Sequence, residues 1–165
     1  MNTKDYTPEQ IIAAATLEDG IYWLEASGTD VVVTVPEGEP RRRYGLRGPL
    51  DGTIIVAGRG NGDAIRDGDG HGSAIRGDDG NGVAIRDGGG NGEATRGGSG
   101  TGNAIQRGHG DGDAVRWGHG DGDAIRDGDG DAIRYGNGDA IRYGNGNGDG
   151  FIIRSGNGDG GEANT

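Results

Sequence analysis

Isoleucine and arginine alternate with strict parity along most of this chain. From about Gly58 to Gly160, ten copies of a short phrase built on Ala-Ile-Arg follow one another, separated by Gly-x-Gly strings. Examples are Asp63-Ala64-Ile65-Arg66, Asp113-Ala114-Val115-Arg116 and Asp139-Ala140-Ile141-Arg142. The arginines fall at 66, 76, 86, 96, 116, 126, 134, 142 and 154, with Gln106 filling the gap. The matching apolar residues are Ile65, Ile75, Ile85, Thr95, Ile105, Val115, Ile125, Ile133, Ile141 and Ile153. The spacing changes from ten to eight and then to twelve, yet one set stays even and the other odd. Length changes in pairs are what a backbone with two alternating faces demands, because a slip of one residue turns every side chain over. A helix would give steps of three and four, and collagen a glycine at every third position. The pattern predicts a strand and a turn per unit, stacked as a solenoid.

Ten residues of strand span about 33 Å of path. That is tight for one closed coil, so two units per turn are expected. Ile65, Ile85, Ile105 and Ile125 then stack in one row, with Ile75, Thr95 and Val115 opposite. The expectation is that the isoleucines lie inside and the arginines reach water. The fold class expected is all-β: a Gly-rich parallel β-solenoid, either β-roll or β-helix, with a small α+β cap at its N-terminus.

Residues 1–57 lack the repeat. Thr7-Pro8-Glu9-Gln10 has the composition of a helix start, with Thr as N-cap, Pro first and Gln three residues after the cap. The helix is expected to run to about Leu17 and to end at Asp19-Gly20. Ile21–Glu25 and Val31–Val35 read as strands, and 36–43 as a loop carrying Arg41, Arg42 and Arg43. Ile54-Ile55-Val56 leads without a linker into the first repeat. A solenoid exposes its core at an open end, so residues 1–57 are assigned as a capping segment and 58–165 as the solenoid.

Composition alone points the other way. With 41 glycines in 165 residues and 30% hydrophobic residues, the chain has the make-up of a disordered segment. The isoleucines alone cannot offset the entropy of ordering so many residues. Backbone ladders, close glycine packing, ions or a partner must contribute. The net charge is −11. Residues 58–165 hold eighteen acids and eleven bases, hence −7, a balance that repels nucleic acid and attracts basic proteins. No cysteine is present, which excludes disulfides and thiolate metal sites. No signal peptide and no apolar stretch near 18 residues is seen, so a cytoplasmic location, in a host cell, is expected.

The Gly-rich turns ahead of Asp113-Ala114-Val115, Asp123-Ala124-Ile125 and Asp131-Ala132-Ile133 resemble the nonapeptide β-rolls of RTX-type proteins. That resemblance implies Ca²⁺ held in the turns. The period here is ten instead of nine, and Ser73, Val83 and Asn103 interrupt the carboxylate row. Ca²⁺ requires six to eight oxygens, so sites near Asp121 to Asp131 are the ones in question. In broad design, as a capped acidic rod without cysteine, the chain is also similar to pentapeptide-repeat proteins that mimic duplex DNA, although their Leu/Phe pattern is missing. That similarity implies a non-enzymatic inhibitor, of a phage anti-defence type, presenting carboxylates to the basic surface of a host nucleic-acid-binding protein or complex.

On that reading the contact residues are Asp111, Asp113, Trp117, Asp121, Asp123, Asp127, Asp129, Asp131, Tyr135 and Tyr143. The aromatics stand just after Arg116, Arg134 and Arg142 and are the expected anchors. Their bland explanation is strand propensity. The alternative is a structural or adhesive rod, such as a phage tail or surface component. Ice binding calls for ordered threonine rows, which Thr95 and Thr101 do not make. Catalysis is not expected: no nucleophile elbow, P-loop or zinc motif is present, and the Gly-x-Gly strings lack a strand-to-helix context. His71, His109 and His119 are the only imidazoles, and two units per turn set His109 and His119 on opposite sides.

Overall fold

A computed structural model describes residues 2–143 and 152–155. The rest of the repeat tract (144–151 and 156–165) and the Arg154 side chain lie outside the described residues. The chain forms β1 (Thr3–Tyr6), α1 (Pro8–Ala14), β2 (Thr16–Glu18), β3 (Ile21–Glu25), β4 (Asp30–Thr34), β5 (Arg42–Arg47) and β6 (Ile54–Ala57). The repeats follow as β7 (Gly62–Asp67), β8 (Ala74–Arg76), β9 (Ala84–Asp87), β10 (Ala94–Arg96), β11 (Ala104–Arg107) and β12 (Ala114–Trp117). Last come β13 (Ala124–Asp127), β14 (Ala132–Tyr135), β15 (Ala140–Tyr143) and β16 (Ile152–Ser155).

The strands alternate between two eight-stranded sheets. The first runs β1-β4-β6-β8-β10-β12-β14-β16, and the second β15-β13-β11-β9-β7-β5-β3-β2. Each unit adds a strand to one sheet, and the next unit adds one to the other. Neighbours within a sheet are therefore two units apart, as Ala64↔Ala84 and Ala104↔Ala124 show. The expected parallel β-solenoid with two units per turn is what forms. The shortened units lose their residues in pairs from the turns. Ala114 pairs with Ala132 and Ala124 with Ala140, so Arg116↔Arg134 and Arg126↔Arg142 stay in register.

The faces are the reverse of the expectation. Ala64, Ala74, Ala84, Ala94, Ala104, Ala114, Ala124 and Ala132 are fully buried, and so are Arg66, Arg76, Arg86, Arg96, Gln106, Arg116, Arg126 and Arg134. The isoleucine rows lie on the outside, half-buried by their neighbours along the row, and Ile153 is 40% exposed. Ile65, paired with Gly45, is the buried exception. The reason lies in the turns. Their carbonyls point inward, and a buried carbonyl without a donor is costly. Alanine leaves little room between the sheets, while a long side chain carrying five N–H donors reaches the turns. Isoleucine has the wrong chemistry for that position.

Glycines in the turns stack directly on glycines of the next rung. A Cβ at Gly102 would lie 2.0 Å from the Gly82 oxygen, and the residue's φ of 141° also disfavours a side chain.

The N-terminal strands continue the same two sheets. Their interior is aliphatic: Val31, Val33, Val35, Tyr44, Leu46, Ile54 and Val56 form one cluster with Ile11 of α1. Thr7 caps α1 as expected, accepting from the Gln10 amide while the Gln10 side chain accepts from the Thr7 amide. The helix stops at Ala14 and not near Leu17, because Ala15 turns extended and 16–18 form β2 antiparallel to β3. Arg42 and Arg43, expected in a loop, belong to β5, whose Tyr44 and Leu46 alternate inward.

Candidate acidic surface and buried arginine rows

Each buried guanidinium closes the turn of the rung before it. Arg96 donates from Nε to Gly82 O at 3.0 Å, from Nη1 to Asp78 O at 3.2 Å and from Nη2 to Gly80 O at 2.7 Å. Arg66 does the same to Gly52, Gly48 and Leu50, and Arg116 to Gly102, Gly98, Gly100 and Gly120. Arg86 and Arg134 repeat the motif on the preceding turn, and Arg76 and Arg126 repeat its Nη bonds while their buried Nε atoms have no partner. These partners are carbonyl dipoles; carboxylates stay outside. Burial pushes the Arg96 guanidinium down to about 9, with repulsion from Arg116 and Arg76 adding to it. Arg116 is pushed down to about 10, by burial first and then by Arg134. Both remain cationic at neutral pH. Gln106 stands in the row between Arg86 and Arg126, fully buried, and neither of its amide atoms has a hydrogen-bond partner.

The outer surface carries a second ladder. Asp, Asn, Ser, Thr and His side chains accept the backbone N–H of the residue one rung later. Asp51 accepts from His71 at 2.8 Å, His71 Nδ1 from Asn91 at 3.1 Å and Asn91 from Asp111 at 3.2 Å, a chain along one edge. Asn61 accepts from Asn81 and Asn81 from Thr101 on the other edge. On the sheets, Asp113 accepts from Asp131 at 2.9 Å and Asp123 from Asp139 at 3.0 Å. The carboxylates thus stitch rungs together, which explains why Asp, Asn and Ser interchange at these positions.

The ten residues singled out from sequence do not make one surface. Trp117 and Tyr135 belong to the first sheet, where they are neighbours in register, and Asp113 and Asp131 stand just ahead of the same two strands. Asp127 and Tyr143 belong to the second, side by side, and Asp123 stands just ahead of β13. Asp111 and Asp129 occupy the turns from second to first sheet, and Asp121 the opposite edge. Trp117 is 52% exposed, Tyr135 47% and Tyr143 44%. The Trp117 ring folds back over Gly97: a Cβ there would lie 2.9 Å from Cζ2.

Arg41 and Arg43 pair with Asp63, Arg42 with Glu39, and Arg47 with Glu18 and Glu25. The arginines of the N-terminal segment thus meet carboxylates of the chain itself. Among the described residues there is no group of three or more His, Cys, Asp or Glu able to hold a metal ion. Among the described residues no helix is long and apolar enough to cross a membrane.

Sequence reasoning missed the arginine rows. The available signal was internal: Ala and Arg recur in nearly every copy, whereas the positions around them drift to Thr95, Val83 or Asn103. The chain matches no family model, no curated protein and no solved structure.

Proposed function

We propose that this chain is a non-catalytic binding protein whose acidic outer surface occupies a basic, nucleic-acid-binding surface of another protein. The observation that supports the reading is the burial of the arginines. Between residues 58 and 143 there are fifteen acids and ten bases. Seven of those bases are fully buried and the half-buried Arg142 also turns inward, donating from Nε to Gly130 O, so Arg59 and Arg107 are left outside, while among the acids only Asp63 is buried. The outside is therefore far more acidic than the composition suggests, and it repeats with the rung spacing of about 4.8 Å. Carboxylates so arranged compete for Lys and Arg contacts that phosphate otherwise takes, and such binding weakens steeply with salt. On this proposal the target is a host nucleic-acid-binding complex, met in the cytoplasm.

The experiment is capture on the immobilised chain at about 50 mM salt, followed by elution with duplex DNA or with salt. Recovery of nucleic-acid-binding proteins that DNA displaces supports the proposal. A second reading, a structural or adhesive rod, draws on the outward isoleucine rows, which give each sheet a flat and regular apolar stripe. Recovery of envelope or virion components that resist both eluents would favour it and defeat the first.

A further inference from the structure

Trp117 and Tyr135 are the two most exposed aromatic residues among the described residues, side by side on adjacent rungs of one sheet. The indole lies over Gly97 and is still half exposed, and the next position along that row, Gly77, has open space above it. Carboxylates border the patch. Glu93, Asp113 and Asp131 lie across the Thr95–Val115–Ile133 stripe, and Asp78, Asp79 and Asp121 lie in the adjoining turns. No base is exposed on β10, β12 or β14.

The other end of the molecule holds the same constellation already filled. Trp23 lies across Gly45, its Cε3 only 2.3 Å from where a Cβ would stand. The Arg47 guanidinium sits 5.7 Å from the Trp23 ring centroid and bonds Glu25 at 2.9 Å and Glu18 at 2.5 Å. A tryptophan spread over a strand glycine, with carboxylates beside it, here receives an arginine of the chain itself.

We infer that the Trp117–Tyr135 platform receives arginine side chains of a basic partner protein, guanidinium planes stacking on the rings and pairing with the flanking carboxylates. This rests on the acidic-surface proposal and adds selectivity to it. Lysine offers the same charge, but its compact, strongly hydrated ammonium lacks the planar fork that stacks and pairs at once.

The test is fluorescence anisotropy with the full chain and two labelled peptides of equal length and charge, one with arginines spaced by Gly-Ser and one with lysines. The arginine peptide should bind roughly tenfold tighter, two exposed ring contacts being sufficient for that ratio. Trp117→Leu, which keeps apolar cover on Gly97, combined with Tyr135→Leu should reduce the ratio to about twofold or less. Tyr143→Ala on the opposite sheet should leave it unchanged. Equal binding of both peptides, untouched by the double variant, would overturn the platform while leaving the acidic surface standing. Failure of both peptides to bind at low salt would remove both proposals.

Discussion

The two ends of this solenoid share a backbone and differ in what fills it. Around β4, β5 and β6 the space between the sheets holds Val31, Val33, Tyr44, Leu46, Ile54 and Val56. From β8 onward the same space holds alanine and arginine. The first region is cohesive because apolar area leaves water. The second is cohesive because backbone ladders continue from rung to rung and, except at Gln106, the turn carbonyls converge on a guanidinium. A low hydrophobic fraction therefore does not imply disorder when the interior is built from hydrogen bonds. The N-terminal aliphatic cluster gives the ladder a fixed first rung on which to grow.

The contrast can be broken most sharply within the arginine rows. Arg96→Leu leaves three turn carbonyls without their donor, and a loss of about 3–5 kcal/mol in denaturant unfolding is expected. Leu46→Ala in the aliphatic region should cost about 2–4 kcal/mol by cavity formation. Ile85→Thr, on the outside, should change stability by less than about 1 kcal/mol, since Thr95 already occupies the equivalent place opposite. Were Ile85→Thr to cost more than Arg96→Leu, the two faces would have been assigned the wrong way round.

Gln106 sharpens the comparison further. Its amide is buried without partners, so Gln106→Leu should be neutral to within about 1 kcal/mol, unlike any Arg→Leu change in the same row.

The smallest expected effect is on pH. Arg96 and Arg116 bind their protons more weakly folded than unfolded, being lowered from the ordinary guanidinium value to about 9 and about 10. The unfolded chain then holds more protons in that range, so stability rises with pH there and is lowest, and flat, below it. Melting temperature should be level from pH 7 to 8 and should climb between pH 8.5 and 9.5, before tyrosine ionisation intervenes. A steady fall across that window would contradict the burial of charged arginines.

The architecture was legible because parity survives in the sequence even where the repeat length changes. Even positions stay even through the two-residue deletions ahead of Asp131 and Asp139, and only an alternating backbone needs that. Which face turns inward was not legible from hydropathy. The usual assumption, isoleucine in and arginine out, holds when the interior is apolar, and it fails where the interior must satisfy turn carbonyls. Substitution among the copies carried the answer. Ile gives way to Thr95 and Val115, while Arg gives way only to another side chain with N–H donors, Gln106. For the surface, the aromatics were found, and counting two units per turn puts the Trp117 and Tyr135 units in one row and the Tyr143 unit in the other, which grouping all three as one set of anchors left out.

The most direct measurement is arginine modification. The native chain, treated with phenylglyoxal and mapped by peptide mass spectrometry, should be labelled at Arg59 and Arg107, while Arg66, Arg76, Arg86, Arg96, Arg116 and Arg126 stay protected until denaturant is added. Rapid labelling of Arg86, Arg96 and Arg116 in the folded protein would place the guanidiniums in water and contradict the interior described here.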